Sequence, residues 1–232
     1  MRYFLVLLSL ALLVACAPKI ATPALPAPGE EMSDIRYLAL GDSYTIGESV
    51  AENERWPNQL AGLLQADDLS TEVTIIARTG WTTDELWQGI QTREINPPYD
   101  LVSLLIGVNN QYRGLDIAEY RKEFIFLLNK AIEYAGGDAK RVIVLSIPDW
   151  GVTPFAKSRD SKKIAMEINL FNSVNREETE KASAYYVDVT PSSREAVTDS
   201  TLIAADGLHP SGKMYAEWAE LAYPQVLKIL EK

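Results

Sequence analysis

Leu101-Val102-Ser103-Leu104-Leu105-Ile106 is a run in which apolar side chains do not alternate with polar ones. A strand with one wet face shows a period of two, so this run predicts a strand covered on both faces, the habit of parallel sheets. It belongs to a segment from Asp100 to Gly107, and four others read the same way: Ile35 to Gly41, Glu72 to Arg78, Arg141 to Ile147 and Ala184 to Val189. The stretches between them read as helices. From Asp116, an N-cap residue type, Ile117, Tyr120, Phe124, Leu127, Leu128, Ala131 and Ile132 recur at three- and four-residue steps until Gly136-Gly137. Alternating strands and helices predict a three-layer α/β/α sandwich around a mainly parallel five-stranded sheet. Ser211 is placed to cap a final helix with Tyr215, Trp218 and Ala222 on its apolar side, and Pro224 is expected to kink or end it.

In open parallel sheets, ligands bind beyond the carboxyl ends of the strands. Gly41-Asp42-Ser43, Gly80 and Asn109 follow the first, second and third strands and are expected on one rim. The only histidine, His209, follows the fifth strand within Asp206-Gly207-Leu208-His209-Pro210. A serine hydroxyl becomes a nucleophile when a base takes its proton, and one imidazole is available to do so. The pairing reads as a serine hydrolase. Each residue also has a plainer role open to it: Asp42 and Ser43 as helix caps, Gly80 as a turn, Asn109-Asn110 as a loop pair, His209 as a buried hydrogen-bonded ring. Asp206, Asp188 and Asp199 are the candidate carboxylate partners of His209. Zinc sites recruit several His, Cys or carboxylate ligands, and one His with one Cys offers little to such a site. Neither a metal nor another cofactor is required by the proposed chemistry.

Four segments together carry a family resemblance: Gly41-Asp42-Ser43-Tyr44, Arg78-Thr79-Gly80-Trp81, Gly107-Val108-Asn109-Asn110 and Asp206-Gly207-Leu208-His209. In order and separation the chain resembles the SGNH/GDSL hydrolases. The resemblance implies a flavodoxin-like strand order, which the apolar pattern alone does not choose. It implies Ser43 as nucleophile, His209 as base and then acid, and Asp206 as the carboxylate that orients the ring. The backbone N–H groups of Ser43 and Gly80, with the side-chain amide of Asn109, are implied as the oxyanion hole. Asn110 departs from the pattern, since the family often has Asp there, and this bears on local packing. Family range allows small or short-chain acyl esters, O-acetylated carbohydrate or lysophospholipid as substrates. Trp81, Tyr112, Trp150 and Phe155 flank the strand ends as candidate cleft aromatics.

The amino-terminal segment carries Arg2, an apolar run from Phe4 to Val14, and then Leu13-Val14-Ala15-Cys16. A charged start, an apolar stretch short for a bilayer and small residues before a cleavage point describe a secretory signal peptide over residues 1–15. Leu-Val-Ala-Cys also looks like a bacterial lipobox, which makes Cys16 the expected lipidation site and residues 16–34, with Pro18, Pro23, Pro26 and Pro28, a tether to a hydrolase domain over 35–232. The expected location is the bacterial cell envelope, facing the periplasm or on the outer membrane where the cell has one. A formal charge of −10 disfavours phosphate backbones, so nucleic acid is not an expected partner. The expected partners are an ester substrate and the membrane, and the sequence does not set the oligomeric state.

Overall fold

The computed structural model describes residues 35–230, so the expected signal peptide, Cys16 and nearly all of the tether lie outside the described residues. Along the chain, β1 (Ile35–Gly41) leads into the short α1 (Ser43–Ile46) and α2 (Trp56–Ala66), then β2 (Thr71–Ala77) and α3 (Thr83–Gln91). β3 (Leu101–Leu105) is followed by α4 (Val108–Tyr112) and α5 (Ile117–Tyr134). β4 (Val142–Leu145), α6 (Ser161–Lys181), β5 (Tyr185–Val187), α7 (Thr190–Arg194) and α8 (Gly212–Leu230) complete the domain.

The sheet has the order β2-β1-β3-β4-β5 with every neighbouring pair parallel. This is the flavodoxin-like order that the resemblance implied. All five residues of β3 are buried, as its unbroken apolar run requires, whereas the edge strands β2 and β5 are mostly half-buried. α2 packs with α8, while α3, α5 and α6 pack in succession, which gives the helical layers their partners. Leu38, Leu40, Leu104 and Leu105 are fully enclosed, and each side chain of this kind contributes about 1.5–3 kcal/mol by leaving water.

Register positions the rim. Gly41 pairs with Ala77 on one side and Leu105 on the other, so β1, β2 and β3 reach their carboxyl ends at one level. The chain steps from β1 to β2 on one side and returns to β3 on the other, making the β1/β3 boundary the topological switch point where open α/β sheets bind ligands. Gly41 is needed there: a Cβ on it would lie 2.1 Å from Thr45 Oγ1 and 2.5 Å from the Leu105 carbonyl oxygen.

Two expectations need correction. β1 spans Ile35–Gly41 as expected, while the other four strands are shorter than or offset from their apolar runs, because Arg78, Gly107, Ile147 and Val189 have already left the ladder for the rim loops. Pro224 does not end the last helix, which runs on to Leu230. Proline costs about 3 kcal/mol inside a helix, but Trp218, Ala219, Ala222 and Val226 are buried on both sides of it and hold the helix down. Asp116 caps α5 as its residue type predicted, with Oδ1 accepting the N–H groups of Ala118 and Glu119 at 2.9 and 3.0 Å.

Candidate active site

Ser43 is the first residue of α1 and is buried at the end of β1. Its neighbour Asp42 is the N-cap, and Asp42 Oδ1 accepts the Tyr44 N–H at 3.0 Å. Asp42 is fully enclosed, and its Oδ2 finds no hydrogen-bond partner among the described residues. Burial pushes the Asp42 carboxyl up to about 7, with the Tyr44 N–H opposing that shift. The capping role is therefore real, and it belongs to Asp42, leaving the Ser43 hydroxyl free of that duty.

His209 and Asp206 form a closed unit across the site. His209 Nδ1 lies 2.6 Å from Asp206 Oδ2, and Asp206 Oδ1 accepts the N–H groups of Leu208 at 2.9 Å and His209 at 3.0 Å. The Ser49 hydroxyl donates to Asp206 Oδ2 at 2.7 Å. Burial alone would raise the Asp206 carboxyl, but the bonds from the His209 ring, the two backbone N–H groups and Ser49 outweigh it and hold the group below the usual carboxylate range. An ionised carboxylate on Nδ1 selects the tautomer that leaves Nε2 as the acceptor. The Tyr44 ring meets the imidazole edge-on at 5.7 Å between centroids, so the Ser43 turn and the His209 loop are in contact. Among the described residues, Ser43 Oγ and the imidazole make no direct hydrogen bond. Such contacts often tighten only when substrate occupies the site.

The alternative carboxylates are committed elsewhere. Asp188 receives Ser146 and the Thr190 N–H and pairs with Arg176 at 2.7 Å, while Asp199 caps the turn at Thr201 and pairs with Lys213 at 2.6 Å. Asp206 is the carboxylate on His209.

Gly80 and Asn109 stand on the neighbouring loops. Trp81 N–H bonds to the Arg78 carbonyl at 3.2 Å, closing a turn whose third residue, Gly80, has φ +88°. Positive φ there is the mark of a type II turn, and it is the backbone angle that calls for glycine, because a Cβ would meet nothing within 4 Å. Asn109 lies in α4, and its Nδ2 donates to the Trp81 carbonyl at 2.9 Å. A primary amide has two N–H donors, so one remains for the site. Asn110 is buried against the start of α3: its Oδ1 accepts the Thr83 N–H at 3.1 Å and its Nδ2 donates to Thr83 Oγ1 at 2.7 Å. The amide thus uses both ends where a carboxylate would bring only acceptors, which accounts locally for the departure from the family pattern.

A cavity of about 550 Å³ opens beside Gly80, with Arg78, Trp81, Gln88, Thr92 and Arg113 among its walls. Of the other candidate aromatics, Trp150 is buried and donates its Nε1–H to Gln111 at 2.8 Å, so it serves the core. Tyr112 and Phe155 are exposed, and the Arg159 guanidinium lies over both rings. Sequence reasoning did not find Ser49, Glu85 or Arg113, each of which touches the site from a loop or helix end. Ser49 carried no motif, although its φ of +66° marks it as unusual once the backbone is seen. Among the described residues, no group of three or more His, Cys, Asp or Glu side chains is placed to hold a metal ion.

Solved structures of other proteins share this fold. The psychrotrophic esterase EstA from Pseudoalteromonas sp. superposes with a TM-score of 0.65 at 17% identity, covering 86% of this chain and 100% of that one. The acetylxylan esterase Axe2 from Geobacillus stearothermophilus gives a TM-score of 0.63 at 19% identity, covering 86% and 95%. A lipase/acylhydrolase from Enterococcus faecalis gives 0.64 at 19%, covering 83% and 95%. At such identities these likenesses speak for the fold. No curated protein matches the sequence significantly. Residues 39–217, from inside β1 into α8, match the GDSL-like lipase/acylhydrolase family, a span that takes in all four sequence segments and both halves of the site. The chain belongs to that family and is a carboxylic ester hydrolase.

Proposed function

We propose that the protein hydrolyses small or short-chain acyl esters through an acyl-serine intermediate. The observation that carries this reading is the 2.6 Å contact between His209 Nδ1 and an ionised Asp206. Ser43 Oγ forms a bond to the acyl carbon as its proton passes to His209 Nε2, and the charge that develops on the carbonyl oxygen is received by the N–H groups of Ser43 and Gly80 and the free Asn109 N–H. The imidazolium then gives its proton to the departing alcohol. Water reverses the sequence, with His209 acting first as base and then as acid, and the serine is restored.

The cavity beside Gly80 has Arg78, Glu85, Gln88 and Arg113 in its walls but neither Ser43 nor His209, so it supports a small polar ester only as a neighbouring surface, and O-acetylated carbohydrate and lysophospholipid are both outcomes of the test. An ester panel that varies acyl length separately from the alcohol tests this, and marked preference for long chains below their aggregation concentration would overturn it. A fluorophosphonate label that appears on Ser43 and vanishes in Ser43→Ala tests the acyl-serine step itself. Absence of any label on the folded wild-type protein would favour a silent glycan- or lipid-binding role for the same cleft.

The reading includes a lipid anchor at Cys16 in the cell envelope, supported by the residues before it and by the proline-rich stretch after it. About 18 extended residues at about 3.1 Å each give a reach of roughly 55 Å from the membrane. Cys16→Ser is expected to move the mature protein into the soluble fraction with unchanged turnover. Continued membrane association of the processed variant would remove lipidation as the anchor.

A further inference from the structure

Three consecutive residues from Gly80 onward are held by side chains, two reaching across the chain and one from the first turn of α3. The Gly80 carbonyl accepts from Arg113 Nη2 at 2.6 Å, the Trp81 carbonyl accepts from Asn109 Nδ2 at 2.9 Å, and the Thr82 N–H donates to Glu85 Oε2 at 2.9 Å. Glu85 in turn holds the Arg113 guanidinium with both oxygens, at 3.1 and 3.0 Å. Arg113 is also the residue that closes α4, where its backbone N–H bonds to the Asn109 carbonyl at 3.0 Å. One residue therefore ties together the two loops that carry Gly80 and Asn109, by its main chain to one and by its side chain to the other.

We infer that Arg113 is a positioning residue that sets the separation and orientation of the Gly80 and Asn109 oxyanion donors, an inference that rests on the acyl-serine reading above. The donor N–H of Gly80 lies in the peptide between Thr79 and Gly80, the central peptide of the turn. That peptide points in opposite directions in type I and type II turns. The positive φ of Gly80 places the turn in the second class, and glycine by itself is free to leave it. A planar guanidinium, oriented by two bonds to Glu85, fixes the carbonyl on the far side of Gly80 and so opposes the flip. Arg113 and Glu85 are both substantially solvent-accessible, so as an ion pair they contribute little to stability. Their effect is expected in the transition state, where small displacements of a donor are costly.

The test compares wild type with Arg113→Ala and Arg113→Lys, using an ester that the wild type cleaves and, separately, the rate of inactivation by a fluorophosphonate whose phosphoryl oxygen must enter the same hole. Arg113→Ala is expected to lose about 10- to 100-fold in kcat, with KM changed by no more than about threefold. Its inactivation rate should fall in parallel, its melting temperature should be nearly unchanged, and added guanidinium ion should restore part of kcat. Arg113→Lys should fall between, because an ammonium cannot make the fork to Glu85 while reaching Gly80. A raised KM with unchanged kcat would instead make Arg113 a substrate-binding group, and kcat and inactivation rates within about twofold of wild type would dismiss the brace. Should Arg113→Ala fold poorly, Glu85→Gln keeps the shape while weakening the grip, and normal kcat in that variant would equally overturn the proposal. Failure of the wild type to label would sink the acyl-serine reading. Equal labelling of wild type and Arg113→Ala would sink the brace alone.

Discussion

The two halves of the site are built by different means. The proton-transfer half is local and charged: Asp206 and His209 are three residues apart, and Asp206 Oδ1 takes two backbone N–H groups of the same short loop. The proposed oxyanion half is dispersed, with Gly80 on the loop after β2 and Asn109 in α4 after β3, uncharged donors held by side-chain contacts that span 28 and 33 residues of sequence, one of them from the Arg113 guanidinium. The first half should therefore fail when charge changes and the second when position changes. Mutations and pH can separate the two.

The largest effect is expected where both halves act on one atom. Ser43→Ala removes the nucleophile and should lower kcat by about 10⁴-fold or more, leaving only what binding and oxyanion donors supply. The side chain is small and the Asp42 cap remains, so the melting curve should barely move. Substantial turnover by the folded variant would refute the nucleophile assignment and dissolve the distinction between the halves.

Next comes a purely geometric break. Asn109→Ala removes one oxyanion donor and also frees the Trp81 carbonyl, and should cost about 10²- to 10³-fold in kcat with little change in KM. If KM alone rises, the amide binds the ground state, and the second half is a recognition surface. Asn109→Ala combined with Arg113→Ala should cost less than the product of the single losses, because both act on the same loop.

A charge break acts on the other half. His209 must be neutral to accept the Ser43 proton, so kcat/KM should fall as pH is lowered. Asp206, held below the usual carboxylate range, keeps its charge through mild acidification and does not contribute to that fall. Asp206→Asn should reduce the plateau by up to about 10⁴-fold through loss of the productive tautomer. Asn109→Ala should lower the plateau and leave the shape of the pH profile as in wild type, and a changed shape in that variant would show that the halves are not separable.

The same contrast explains what the sequence made legible. Asp206-Gly207-Leu208-His209 was legible through the family resemblance, since a three-residue spacing in one loop also fits a plain loop hydrogen bond, and the sheet was readable because Leu101 to Ile106 does not alternate between apolar and polar residues. Gly80 and Asn109 could be placed on the rim by counting strands. Arg113 and Ser49 could not, since they reach Gly80 and Asp206 across 33 and 157 residues of chain, and Glu85, which sits three residues after Thr82 as the partner of a helix cap, gave no sign of its second bond to Arg113. Pro224 was expected to kink or end the helix, and the end did not follow: burial of Trp218, Ala222 and Val226, a tertiary effect, carries the helix past it.

The smallest effect on turnover and a distinct effect on stability are expected at Asp42, which stands between the halves as the cap beneath Ser43. Its folded-state value of about 7 lies above the 3.8 of a free aspartate, so from about pH 4 to 7 the unfolded chain has lost a proton that the folded protein still holds. Stability must then decline as pH rises across that window and level off above it, by an amount on the order of a few kcal/mol. Asp206 works in the opposite sense: its lowered value stabilises the fold above about pH 4, and that contribution is lost as pH falls below. Asp42→Asn retains an oxygen to accept the Tyr44 N–H and cannot ionise. Relative to wild type, its melting temperature should therefore improve between pH 5 and pH 8, by about 2–4 °C for each kcal/mol of relieved charge. Ester turnover measured at pH 8 should change far less than in Asn109→Ala, because the carboxyl touches neither the acyl carbon nor the oxyanion donors of the second half. A melting-temperature difference that stays constant from pH 4 to 8 would show that Asp42 is ionised in the fold throughout, and the cap would then belong with the charged half of the site.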